Sequence, residues 1–197
     1  SLLLSIPASL GLIIASEEII NGLFGYGSFT SKDVELTSDA LKFFGYGIIA
    51  FALVKVLTNF FFARDNTKTP FYVSSFIVLL NIIISVSLFD RFGFLIIPIA
   101  TSFSTWVGVF IFLYLLKRND FLLIQKKLYL NILKIVISTI IMSFTLIFIL
   151  EKYSSYLDYT YLYKSIWLLF IVGFVGIVYF ISCYFLGLLK IKNYKAN

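Results

Sequence analysis

The chain has 197 residues, 60% of them hydrophobic and 13% charged, with a formal net charge of +6. Soluble domains carry about 25% charged residues, so this composition excludes a water-soluble globular fold and predicts an integral membrane protein. The absence of histidine and the single cysteine, Cys183, exclude the usual general base and metal ligand, a Ser-His-Asp triad, an internal disulfide and a Cys-based metal cage.

Six apolar spans are predicted, at about 2–20, 41–63, 71–89, 93–116, 131–150 and 165–189. As helices, each is long enough for roughly 30 Å of hydrocarbon, and none alternates as barrel strands do. The chain opens on Ser1 inside an apolar run. No basic segment precedes that run and no small-residue cleavage site follows it, so the expectation is the C-terminal part of a longer protein rather than a signal peptide. Pro7 predicts a kink in the first span that neighbouring helices tolerate. Glu17 and Glu18 close the span at the outer interface. Adjacent helix residues point apart, so the two are not a paired acid and base. The Gly-rich run that follows is expected to dip at the interface. Residues 30–42 read as a polar loop, with Asp33, or Thr37 before Ala40, opening a short interfacial helix.

The second span holds one charge, Lys55, and stops at a charged turn, Arg64 to Pro70. A charge at the centre of a spanning helix costs about 2.5–3.5 kcal/mol on insertion scales and usually faces protein or water. Lys55 therefore reads as a cationic contact in a central cavity, or as a lysine that snorkels to the interface near Arg64. In the third span, Asn81 and Ser85 are four apart and share a face. A tight turn at Asp90–Gly93 makes spans three and four antiparallel neighbours. The fourth span carries Pro98, then Thr101, Ser102, Ser104 and Thr105, hydroxyls of the kind that re-satisfy a carbonyl freed by proline. Asn81, Ser85 and Thr101 read as inter-helix hydrogen-bonding groups, or as neutral oxygens for a small cation with a carbonyl near Ile97. A hard cation usually takes a carboxylate as well.

Residues 117–134 mix apolar and basic residues and suit an anionic membrane surface. The fifth span is plain. The sixth has Tyr163 and Trp167 at one interface and Gly173 and Gly176 three apart, which is not the GxxxG spacing. The loops at 64–69 and 117–134 and the tail hold ten of the sixteen Lys and Arg residues, and the opposite loops hold five, Lys32, Lys42, Arg91, Lys152 and Lys164. This bias places the first group, the C-terminus and residue 1 in the cytoplasm. The basic residues are spread through loops rather than gathered on one face, so no nucleic-acid partner is expected. Phosphate loops, zinc spacings and nucleophile elbows are missing from the sequence, and no enzyme is predicted.

The first 70 residues resemble the MurJ/MviN lipid II flippases of the MOP exporter superfamily. The resemblance rests on Ile6-Pro7-Ala8 with Gly11-Leu12, on Leu23-Phe24, Gly27 and Phe29 with Thr30 and Asp33, and on Ala40-Leu41, Tyr46-Gly47 and Lys55. It ends in Ala63-Arg64-Asp65 and Thr69-Pro70. It implies an all-α integral membrane protein whose six transmembrane helices form the second lobe of a MOP-type flippase without its first lobe. Residues 1–118 would be four lobe helices, 119–130 a cytoplasmic basic linker, 131–190 two extra helices lining a groove for the lipid tail, and 191–197 a cytoplasmic tail. The implied activity is transport of lipid II, a lipid-linked peptidoglycan precursor, across the bacterial inner membrane by alternating access. Membrane lipids and the N-terminal lobe of the same protein would be its other partners, and the segment alone would not transport. Lys55 would bind substrate. Asn81 and Thr101 would bind sodium, although Ser85 stands where an acidic ligand would help. Another MOP exporter, moving polyprenyl-linked oligosaccharides or drugs, and a membrane enzyme acting on polyprenyl lipids are the alternative readings.

Overall fold

The computed structural model describes residues 1–119, 121, 126–158 and 161–188. Seven α-helices and no strands occur among them: α1 (Leu2–Ile14), α2 (Ser16–Phe24), α3 (Ser31–Phe62), α4 (Lys68–Phe92), α5 (Ile96–Arg118), α6 (Lys126–Lys152) and α7 (Lys164–Phe185). By length and hydropathy, α3, the α4–α5 region, α6, α7 and the bent pair α1–α2 all qualify as membrane-crossing segments. The α4–α5 region folds back on itself. Gly93 turns the chain at φ 59°, and the facing pairs Asn81–Thr101 and Ile77–Gly108 run antiparallel across the seam. At about 1.5 Å per residue, 25 and 23 residues let each arm cross alone. The six expected crossings are therefore present, and the protein is a multi-pass membrane protein.

The helices stand in the order α4, α5, α3, α1, α6, α7, with α2 crossing from α3 to α7. Two apolar clusters lock this order. Phe61, Val73, Phe112 and Leu116 join the ends of α3, α4 and α5. Ala15 packs with Met142, Leu146 and Leu150 of α6 and with Leu168, Ile171 and Val175 of α7.

Three boundaries differ from the sequence reading. The first span is one continuous helix through Pro7 and then breaks, with a 76° bend at Ala15 that the sequence reading did not expect. Pro7 cannot donate to the carbonyl of Leu3, but the Tyr179 hydroxyl donates to that oxygen at 2.6 Å. The helix therefore passes the proline without breaking. Residues 31–42 are not a loop. Thr30 and Asp33 form a capping box, with Thr30 N–H donating to Asp33 Oδ2 at 2.8 Å, and no Gly or Pro interrupts the helix before Gly45. Finally, α6 already begins at Lys126, so 126–130 is helix rather than linker. Residues 120 and 122–125 of the expected linker, and the tail from 189 on, lie outside the described residues.

The turn between α3 and α4 explains why Arg64 to Pro70 ends one helix and starts another. Asp65 N–H donates to Phe62 O at 3.0 Å and Asn66 N–H to Phe61 O at 3.1 Å, the pairing of a Schellman motif. Asp65 sits at φ 56°, in the left-handed region. Asn66 then caps the next helix, its Oδ1 accepting from Thr69 N–H at 3.0 Å, and Pro70 falls in the first turn, where its missing N–H costs nothing. The Arg64 guanidinium lies over Phe60 at 3.8 Å and Phe121 at 4.5 Å.

Two substitutions test this turn in the detergent-solubilised protein. Asp65→Gly relieves the left-handed residue and should stabilise by up to ~1 kcal/mol. Asn66→Ala removes the cap and should cost about 1 kcal/mol. Thermal unfolding should show midpoint shifts of opposite sign; shifts of the same sign would reject the assignment.

Candidate functional site

The geometry is set by α3. Gly45 and Gly47 let its neighbours approach: a Cβ at Gly45 would stand 2.8 Å from Ile13 Cγ1 of α1, and one at Gly47 2.5 Å from Ser102 Oγ of α5. Across these contacts, Ser9 Oγ donates to Gly45 O at 2.7 Å, Ser102 Oγ to Phe43 O at 2.7 Å, and Trp106 Nε1 to Tyr46 O at 3.0 Å. Small residues and hydroxyls at helix seams suit a bilayer, where packing and interhelical hydrogen bonds drive association.

With that face of α3 occupied, Lys55 lies on another. It is exposed and shares its side of the helix with Asn59 and Phe62, which are exposed too. Among the described residues no hydrogen bond or ion pair reaches its ammonium group. Nine residues, about 13 Å of helix, separate it from Arg64. The structure thus supplies a cation directed away from the α1–α3–α5 packing.

Asn81 and Thr101 do meet. Asn81 Nδ2 donates to Thr101 Oγ1 at 2.8 Å, Ser85 Oγ donates to Asn81 Oδ1 at 3.2 Å, and Thr101 Oγ1 donates to Ile97 O at 2.7 Å. The oxygens expected to ligate sodium are neutral and engaged with one another, and the only carboxylate of α4 and α5, Asp90, stands at the far end of α4. Lys55 is not part of this seam.

Between α6 and α7 opens a cleft of about 950 Å³, lined by Phe148, Tyr153, Tyr163, Trp167, Phe170 and Phe174, with Lys152 at its rim. Trp167 stacks on Tyr153 with ring centres 6.1 Å apart and lies 4.8 Å from Tyr156. Aromatic rings with polar tips at one end of a spanning pair mark the membrane interface.

Sequence reasoning missed Lys164, counting it only as a loop charge. It is wholly buried. Its Nζ donates to Gly25 O at 2.6 Å and Asn21 Oδ1 at 3.0 Å, and lies 4.3 Å from the Tyr26 ring centre. Asn21, a lone amide in an apolar run, was the available signal.

Comparison with known proteins agrees with this architecture. The family model described as lipid II flippase MurJ matches residues 1–190. A probable lipid II flippase MurJ of Rickettsia prowazekii is 32% identical over 197 residues, covering 100% of this chain and 38% of that protein. Its counterpart in Buchnera aphidicola subsp. Schizaphis graminum is 30% identical over 194 residues, covering 98% and 38%. A solved structure of lipid II flippase MurJ in an inward closed conformation superposes with a TM-score of 0.73 at 28% identity, covering 93% of this chain and 36% of that one. The chain thus spans under two-fifths of the length of the curated relatives it matches.

The α4–α5 seam can be weighed by a double-mutant cycle. Asn81→Leu and Thr101→Val should show a coupling of about 0.6 kcal/mol, the average for interhelical hydrogen bonds in membranes, when unfolding of the solubilised protein is followed in denaturant. Strict additivity of the two substitutions would mean that the contact is not formed.

Proposed function

The chain belongs to the MurJ family of lipid II flippases, and from that premise we propose that it is the C-terminal part of a transporter that moves lipid II across the bacterial inner membrane by alternating access. The match across residues 1–190 carries this reading. The remaining length of the relatives supplies the first lobe, which closes the cavity against this one. A transporter does not need a catalytic constellation, and the histidine-free sequence is in keeping with that.

In this reading Lys55 faces the cavity and attracts the anionic head group of the substrate. Its support is its exposure on a face that α1 and α5 leave uncovered. The α6–α7 cleft, apolar along most of its length, holds the polyprenyl tail in hydrocarbon while the head group crosses in water. The ends carrying Arg64, Lys68, Lys117 and Arg118 face the cytoplasm, by the excess of basic residues on that side. We read Asn81 and Thr101 as the hydrogen-bonded latch of the α4–α5 hairpin. Sodium is the alternative occupant of their oxygens, and it would require the Asn81 amide to turn over and leave Thr101. A melting temperature that rises with sodium but not potassium, and loses that dependence in Asn81→Leu, would favour the ion.

Complementation tests the function. In cells depleted of their own lipid II flippase, the full-length protein containing this segment should restore growth, and Lys55→Ala at matched membrane levels should lower rescue at least tenfold, with Lys55→Arg recovering part of it. Rescue by both wild type and Lys55→Ala would keep the transport reading and remove the cavity role of Lys55. Failure of a correctly inserted wild type would favour an exporter of another polyprenyl-linked sugar.

A further inference from the structure

A buried lysine in a membrane protein is costly to desolvate and persists where its surroundings fix it. Lys164 opens α7, and its two identified hydrogen-bond acceptors lie on the bent first segment and its exit: Asn21 Oδ1 at 3.0 Å and Gly25 O at 2.6 Å. Asn21 is itself held, donating from Nδ2 to Leu157 O at 2.7 Å, just before α7. The fit is close. A Cβ on Gly25 would collide with Asn21 Oδ1 and stand 3.0 Å from Lys164 Nζ, and a Cβ on Gly22 would stand 2.8 Å from Leu168 Cδ2.

This contact occupies a particular place in the architecture. The α6–α7 pair stands at the edge of the helix array and reaches the other helices through α1 and α2. At the far end of α7 the join is the bond from Tyr179 Oη to Leu3 O at 2.6 Å. At the near end it is the Lys164 cluster, at the end of α2 away from the 76° bend. Nothing in the sequence at Ala15 forces that bend, since neither Gly nor Pro stands there; once turned, α2 docks against both α3 and the start of α7.

We propose that Lys164 is a positioning residue: it fastens the bent segment α1–α2 to the start of α7, so that the first span carries the α6–α7 pair as one body. A change of position in the lobe is then transmitted to the pair through the bent segment.

The test uses spin labels on the exposed positions Leu23 of α2 and Leu169 of α7, in the full-length protein in nanodiscs, with the distance distribution read by pulsed electron resonance. Wild type should give one narrow distribution. Lys164→Met, which keeps length and loses charge, and Gly25→Ala, which keeps the lysine and crowds its acceptor, should each broaden it at least twofold. Ser165→Ala, which removes only the bonds of Ser165 to Gly22 O and to the Tyr26 hydroxyl, should stay narrow. An unchanged width in Gly25→Ala and in folded Lys164→Met would overturn the proposal. So would a broadening in Ser165→Ala as large as that in Gly25→Ala, because the join would then not depend on the lysine. The distance readout does not depend on which substrate is carried.

Discussion

The close approach of α1 and α5 to α3 at Gly45 and Gly47 is the contact on which the other positions depend. Two missing side chains bring three helices near enough for Ser9, Ser102 and Trp106 to reach backbone oxygens of α3. Any larger residue at Gly47 would meet Ser102 Oγ within 2.5 Å and push α5 away. Displacing α5 would carry α4 with it, because α4 is held mainly by α5. Displacing α1 would carry the α6–α7 pair. Lys55 lies on the same helix two to three turns further on, so its direction is fixed by the face these glycines commit to packing.

The same economy of polar groups recurs through the bundle. In hydrocarbon a polar group without a partner costs several kcal/mol, and the hydroxyl side chains satisfy their own donors on helix carbonyls. Thr105 and Thr139 return their hydroxyls to carbonyls four residues back, at 2.7 and 2.8 Å. Tyr179 answers a different need, reaching across from α7 to the oxygen that Pro7 leaves open. That bond makes the Pro7 turn a point of attachment for α7. It also accounts for a tyrosine that is buried amid apolar neighbours in α7.

What was legible in the sequence follows from what periodicity and length encode. Six spans, the hairpin at Gly93 and the facing of Asn81, Ser85 and Thr101 rest on local spacing, and the structure has them. The start of α3 was misplaced because polar composition suggested a loop, whereas Thr30 and Asp33 carried the capping signal and no breaker followed. The bend at Ala15 had no local signal: neither Gly nor Pro stands there, and the turned α2 packs against α3 and against the start of α7, about 150 residues away. Pro7 gave a strong local signal, and there the helix continues with a distant hydroxyl bonded to the carbonyl that the proline leaves open. The first and last segments of the chain meet throughout this region, so a reading confined to windows of one helix was bound to miss it.

The two lysines show the limit most directly. Lys55 and Lys164 are the same residue in apolar surroundings, and by insertion cost alone Lys55, deep inside a span, is the one that should need a partner. The structure reverses this. Lys164, at a helix start where solvent was expected, is enclosed by Asn21, Gly25 and Tyr26. Lys55 stands on an open face. An enclosed lysine with short fixed contacts holds helices together, because moving it means exposing a charge to the apolar interior. An uncovered lysine inside a span is stable where water, an anion or the interface comes within reach of its long side chain. Position in the sequence thus does not decide which lysine is fixed: Lys164 has acceptors brought to it by α2, and Lys55 has an uncovered face of α3.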